Sequence, residues 1–201
     1  MQSTFQLILA SSSPYRRELL ARLQLPFTSI APDIDESPQK NEGPADTAIR
    51  LAREKAQHIA ASHTNSIVIG SDQVATLDDL QIGKPGNHER AMEQLRIMQG
   101  REVIFHTALC VLDGRSNVDT PNIQEVNSQT RVRFRSLSEA ELDAYLRIEK
   151  PYDCAGSAKN EGLGIALIES IHSDDPTSLT GLPLIALTDM LRNRGVPFFG
   201  T

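Results

Sequence analysis

Two short apolar runs, "QLILA" at 6–10 and "SIVIG" at 66–70, constrain this chain most. Each is too short for a helix of ordinary length and reads as a short buried strand. Each also runs straight into polar residues: the first into "SSSPYRRELL", the second into "SDQV". Buried strands that end in clusters of functional groups form a scaffold that presents those groups at one place.

The elements between and after them complete the fold. Pro14 suits the first turn of a helix, where its missing N–H is not needed, and Leu19, Leu20 and Leu23 follow at helical spacing. Pro32 keeps "FTSIAPDIDES" extended. Asp46 is the expected cap of a long helix to about Ser62. "QVATLDDLQIGKP" reads as a hairpin around Asp78-Asp79, and "NHERAMEQLRIMQG" as a helix stopped by Gly100. "REVIFHTALCVLDG" is a long strand turning at Asp113-Gly114, and "TRVRFRSL" alternates as a further strand. Ser138 and Glu141 make a capping box for a helix to about Ile148. "GLGIALIESI" reads as a strand, and "LPLIALTDMLRNRG" as a final helix with Gly195 as its stop. Strands and helices do not strictly alternate, so the expected fold is α/β with a mixed sheet flanked by helices rather than a doubly wound parallel sheet. At 201 residues the chain suits one domain, or two small lobes sharing a core.

Charge and cysteine usage exclude some functions. A formal net charge of -6 opposes a nucleic-acid polymer as partner, because phosphate backbones need a broad basic surface. It leaves room for a small phosphorylated ligand in a local cationic pocket. No apolar stretch approaches a membrane span, and the N-terminal residues lack a basic lead, so neither a membrane nor a signal peptide is expected. Cys110 and Cys154 have no metal-type spacing, and the cytoplasm is the default compartment.

Several residues carry candidate chemistry. A strand feeding a helix start presents backbone N–H groups and a positive dipole end, a natural anion site. Ser11, Ser12 and Ser13 add hydroxyls there, and Arg16 and Arg17 can fork onto phosphate oxygens. The same residues would also serve as capping serines and solvated arginines. "PDIDES" supplies Asp33, Asp35 and Glu36, which equally make an ordinary acidic loop. Asp72 follows an apolar strand, as a functional group or as a turn residue. Lys84 in "GKP" is a strand-end cation or a solvated loop lysine. Lys55 shares a helical stripe with Ala52 and Ile59, so it either snorkels or points its ammonium into a cleft. His106, inside an apolar strand, reads as packed.

Together, "LILASSSPYRRELL", "PDIDES", "LAREKA", "IGSDQV", "GKP", "CAGSAKNEGLG" and "LTGLPLIAL" resemble, in order and nearly end to end, the Maf family of nucleoside triphosphate pyrophosphatases. "SDQV", "DCAGSAKNEG" and the aromatic residue before the arginine pair are similar to its YceF-like branch, which acts on 7-methyl-GTP. The resemblance implies one Maf-like domain over residues 1–201 with the inosine-triphosphatase-like fold, a mixed sheet with helices in two lobes around a cleft. It implies cleavage between the α and β phosphates and a divalent cation (Mg, Mn or Co) held by Glu36 and Asp72. It makes Asp72 the proton acceptor, with Glu36, Lys55 and Lys84 beside it in catalysis. Ser11, Arg16, Arg17 and Lys159 become substrate-binding residues. Tyr15, Gln73 and Glu161 become the positions that set base preference. The branch often has tryptophan where this chain has Tyr15. The dTTP/UTP branch usually has threonine in place of Gln73 and glutamine in place of Glu161. The implied partner is a nucleotide, and a homodimer is allowed. Two alternatives stand beside this reading: a dTTP/UTP pyrophosphatase, and a nucleotide-binding regulator of cell division that does not hydrolyse its ligand. Cys154 is not required by the chemistry and reads as structural.

Overall fold

The computed structural model describes residues 6–78, 80–115 and 123–199. Among the described residues, seven strands form one sheet in the order β2-β1-β3-β5-β6-β7, with β4 on β3. The strands are β1 (Gln6–Ala10), β2 (Thr28–Ile30), β3 (Ser66–Leu77), β4 (Leu80–Ile82), β5 (Glu102–Asp113), β6 (Ile123–Phe134) and β7 (Ile168–Ser173). β1 pairs parallel with β2 and β3, whereas β3/β4 and β6/β7 are antiparallel, so the sheet is mixed as expected. The helices are α1 (Pro14–Ala21), α2 (Pro44–Ala60), α3 (His88–Met98), α4 (Glu139–Glu149) and α5 (Leu184–Arg192).

The chain divides into two compact units, one of residues 1–72, 107–128 and 175–201, the other of 73–106 and 129–174. In the first, alternate residues of β1 and β3 point to opposite faces. Leu7, Leu9, Ile67 and Ile69 join Leu19 and Leu20 of α1 and Leu187 and Leu191 of α5 in one core. The opposite face carries Ile8, Ala10, Val68 and Gly70, and α2 lies directly against it. A Cβ on Gly70 would stand 2.1 Å from the carbonyl oxygen of Ala52 and 2.9 Å from the nitrogen of Ala56. Only glycine admits so close a backbone approach. Asp72 lies two residues on, on the same face, and Lys55 precedes Ala56. The approach at Gly70 therefore sets the distance between them.

In the second unit, α3 buries Ala91, Met92, Leu95 and Met98, and α4 buries Leu142, Tyr145 and Leu146. The Ser138–Glu141 capping box forms as expected, with Ser138 N donating to Glu141 at 2.8 Å. The β3–β4 hairpin pairs Leu77 with Leu80; Asp78 turns it with φ +52, and Asp79 lies outside the described residues.

Three expectations need correction. The cap of α2 is Gly43, with Pro44 in the first turn and Asp46 inside it. Proline preset for helical φ starts the helix three residues early, and Asp46 instead meets the positive end of the dipole. "GLGIALIESI" is not one strand: Leu163–Leu167 is a 3-10 turn, and β7 begins only at Ile168. An apolar run alone cannot tell the two apart, and the Leu163 N–H is taken by the Glu149 carboxylate at 2.8 Å rather than by a neighbouring strand. β6 begins at Ile123, seven residues before "TRVRFRSL"; residues 123–128, "IQEVNS", are all only half-buried and their apolar residues do not alternate. Neither cysteine is in a disulfide, and burial pushes the Cys110 thiol up to about 12.

Candidate active site

The turn after β1 is built by its serines. Ser11 is buried; its Oγ accepts from Ser13 N at 3.1 Å, and its carbonyl accepts from Ser29 Oγ at 2.8 Å. Ser13 caps α1 through Arg16 N. The capping role is thus real for Ser13, while the Ser11 hydroxyl acts in this turn as an acceptor. Tyr15 and Arg16 are partly buried and Arg17 is exposed. Arg16 Nε donates to the carbonyl of Gly181 at 2.8 Å. Loss of solvation lowers the pKa of its guanidinium, and the charges of Asp72 and Glu36 oppose that shift. The two carboxylates therefore lie within electrostatic reach of Arg16.

Lys55 does not snorkel. It is 5% exposed, and its Nζ lies 2.7 Å from Asp72 Oδ1 and 2.6 Å from Glu36 Oε1. Asp72 is buried at the middle of β3, whereas the Glu36 side chain is about half exposed. Glu36 reaches the ammonium from an irregular loop, and α2 secures that loop by a contact the sequence did not announce. Arg50 donates to the Ser37 carbonyl at 3.0 Å and forks onto Glu42 at 2.6 and 2.9 Å. Glu42 also accepts from Gln39 N and Thr47 Oγ1, each at 3.0 Å. The Arg50 hydrogen bonds hold the Glu42 carboxyl at about 2, well below its ordinary value. Only the Arg50–Glu54 pair, four residues apart on a helix, had a readable spacing; Glu42 lies outside the helix.

The second unit carries the remaining candidates. Gln73 is partly buried and follows Asp72, so it faces the other side of β3. Lys84 is exposed after β4, in a loop tied down by Gln94 on the Gly83 carbonyl at 2.9 Å. Glu161 is exposed on the loop between the two 3-10 turns. Lys159 on the same loop pairs with Glu149 at 3.1 Å. Glu149 also holds the Leu163 N–H, and that bond, more than Lys159, lowers its pKa. His106 is partly buried, and burial lowers the pKa of its imidazole. Among the described residues, no group of three His, Cys, Asp or Glu is placed to hold a metal ion. The structure thus brings Glu36, Lys55 and Asp72 together in the first unit, within electrostatic reach of Arg16.

A family model described as Maf-like protein matches residues 6–194. The chain belongs to this family. The Maf-like chain is 64% identical over 194 residues to the 7-methyl-GTP pyrophosphatase of Cupriavidus metallidurans, covering 96% of each. It is 62% identical over 193 residues to the protein of that name from Ralstonia nicotianae, covering 96% of this chain and 97% of the relative. It is 61% identical to that of Burkholderia pseudomallei, covering 97% and 90%. Two solved structures are similar at lower level. One is a nucleoside-triphosphatase / dITP/XTP pyrophosphatase from Mycobacterium abscessus, 15% identical with TM-score 0.45 over 96% of each chain. The other is a HAM1 protein from Coxiella burnetii, 18% identical with TM-score 0.46 over 94% and 100%. At those scores the likeness carries no argument.

The Glu42 clamp predicts a pH signature for this Maf-like protein. A carboxylate whose pKa falls on folding adds stability that is complete above its ordinary 4.5 and is lost as the pH falls toward its folded value of about 2. Glu42→Gln should therefore have a lower Tm than the parent at pH 7, and the gap should close as the pH falls from 4.5 toward 2. Thermal melts of both proteins across that range check this; a gap that stays constant or widens in acid would mean the Glu42 charge is not what anchors the loop.

Proposed function

We propose that this chain hydrolyses 7-methyl-GTP to 7-methyl-GMP and pyrophosphate. The observation that carries the reading is the buried Lys55 ammonium bridging Glu36 and Asp72 at 2.6 and 2.7 Å, within electrostatic reach of Arg16. The relatives' shared name supports the choice of substrate.

The chemistry follows from charge. A triphosphate brings roughly three to four negative charges, so cations must offset them before water can attack. In this reading Arg16 and the Ser11 hydroxyl bind phosphate oxygens, with Arg17, Lys84 and Lys159 as further cations. The attacking water gives its proton to Asp72, which the Lys55 contact keeps in one orientation. The α–β anhydride bond breaks as the water oxygen bonds to phosphorus, and pyrophosphate leaves.

The carboxylates also fit a divalent cation. Glu36 and Asp72 already present one oxygen each to a single positive centre. Two carboxylates, completed by phosphate and water oxygens, match the habit of Mg²⁺, and Mn²⁺ or Co²⁺ accept the same donors. Such an ion, when bound, supplies positive charge at the phosphate oxygens and acidifies bound water. The reading extends to a cytoplasmic enzyme acting on free nucleotide. The net charge of -6 suits this, and among the described residues no helix is long and apolar enough to cross a membrane.

Base choice falls to Tyr15, Gln73 and Glu161. Guanine presents two adjacent donors, N1–H and the N2 amino group, and a carboxylate such as Glu161 has two acceptor oxygens for them. N7 methylation gives the ring a positive charge, which stacks well on an aromatic face such as Tyr15.

Two predictions test the reading. Asp72→Asn keeps the shape of the side chain and removes the proton acceptor. Its turnover of 7-methyl-GTP with Mg²⁺ should fall by ~10²–10⁴-fold, with pyrophosphate and no orthophosphate as the parent's product. Parent-like turnover in this variant would remove Asp72 from the reaction. Glu161→Gln should lower kcat/KM for 7-methyl-GTP by ~10-fold or more, the size of a charged hydrogen bond, and narrow the gap to UTP and dTTP. Kinetics on a panel of nucleoside triphosphates read this directly, and an equal loss on every nucleotide would mean Glu161 does not read the base.

A further inference from the structure

Residues 175–184, "DPTSLTGLPL", contain no group that the proposed chemistry uses, yet they form one of the most closely bonded loops in the first unit. Asp175 is buried and accepts from Thr177 N and Oγ1 at 3.0 and 2.7 Å with one oxygen. Its other oxygen accepts from Ile185 N at 2.7 Å, so it supplies the cap that Pro183 cannot give α5. Thr177 Oγ1 accepts from Leu184 N at 2.8 Å. Ser178 is fully buried, and its carbonyl accepts from Thr107 Oγ1 at 2.9 Å and from Gly181 N at 2.9 Å. The loop is thus bonded at both ends and in the middle, and it contains Gly181.

Gly181 has φ +111, a conformation that side chains of L-residues rarely adopt. A Cβ there would stand 3.4 Å from Arg16 Nε, so the arginine packs against the bare α-carbon. Its carbonyl accepts from Arg16 Nε at 2.8 Å and lies 3.0 Å from Ser71 Oγ, a hydroxyl whose one proton is shared with a second carbonyl. Ser71 is fully buried and also lies 2.8 Å from the Ala108 carbonyl, which ties the contact to β5. Ser71 faces this loop from β3 while its neighbour Asp72 faces α2.

We propose that the Gly181 carbonyl, steadied by the Ser71 hydroxyl, is a positioning element that fixes the plane of the Arg16 guanidinium. A guanidinium is planar and carries five N–H donors. With Nε–H on Gly181, the side chain loses rotation, and the four terminal N–H groups keep one orientation for phosphate oxygens. The loop does not touch substrate; it acts through Arg16. The inference rests on the reading that Arg16 binds phosphate.

A double-mutant cycle tests it. Gly181→Ala and Ser71→Ala are made in the parent and in Arg16→Ala, and each protein is assayed for kcat/KM on 7-methyl-GTP and for Tm. Misplacing a binding group by about 1 Å costs up to ~10²-fold, so Gly181→Ala should lose ~10–10²-fold in the parent, and Ser71→Ala several-fold. In the Arg16→Ala background each should lose less than ~2-fold, because mutations that act through one residue are not additive. Ser71→Thr, which keeps the hydroxyl, should restore parent kcat/KM where Ser71→Ala does not. Equal losses in both backgrounds would overturn the proposal, since the loop would then act on the fold. If Gly181→Ala does not fold, the Ser71 arms decide alone. Parent-like activity of Arg16→Ala itself would instead overturn the phosphate role of Arg16, and with it the need for positioning.

Discussion

A lysine ammonium that is almost wholly buried requires partners of opposite charge, and this site is arranged around that requirement. Lys55 lies on the buried face of α2 among Leu51, Ala52, Ala56 and Ile59 and is 5% exposed. Burying a charge without compensation costs several kcal/mol. Asp72 and Glu36 supply the compensation from two directions, one from the middle of a buried strand and one from a loop. Each approach depends on its own device. Gly70 lets α2 close onto β3 so that Lys55 meets Asp72, and the Glu42–Arg50 fork ties the loop of Glu36 to the same helix. The arrangement that compensates the lysine also brings two carboxylates to one ammonium, within electrostatic reach of an arginine.

Much of this was legible in the sequence because it was local. The unbroken apolar runs of β1 and β3, the proline opening α1 and the capping box of α4 each state their structure within a few residues. Lys55 could be flagged because an ammonium on an apolar stripe is an anomaly. Its outcome could not be chosen, because the partners stand 19 and 17 positions away in the chain. The Glu42–Arg50 fork was missed for the same kind of reason: one partner lies in a loop, where no period links it to the helix. "GLGIALIESI" misled because a strand and a tight turn can share an apolar run, and the deciding contact, Glu149 on Leu163 N, comes from another helix. Gly181 carried no chemical signal at all, since its contribution is a backbone carbonyl.

The two faces of β3 divide the work. Toward α2, Gly70 and Asp72 build the charged pair; toward α1 and α5, Ile69 joins the core and Ser71 meets the Gly181 carbonyl that accepts from Arg16. Alternation along one strand therefore links the helix that carries the lysine and the helix that carries the arginine. The Maf-like assignment rests on a sequence match over nearly the whole chain, and in this chain "LAREKA" and "IGSDQV" meet at Gly70, and "SSSPYRRELL" meets "LTGLPLIAL" at Gly181.

The most direct test of this account is equilibrium urea unfolding of Lys55→Met, alone and combined with Asp72→Asn. Removing one partner of a buried ion pair leaves the other charge uncompensated, so Lys55→Met should lose about 3–5 kcal/mol of stability. Adding Asp72→Asn, which removes the stranded charge, should restore part of that loss. A Lys55→Met protein as stable as the parent, or a double variant whose losses simply add, would contradict the claim that the buried ammonium holds the two carboxylates together.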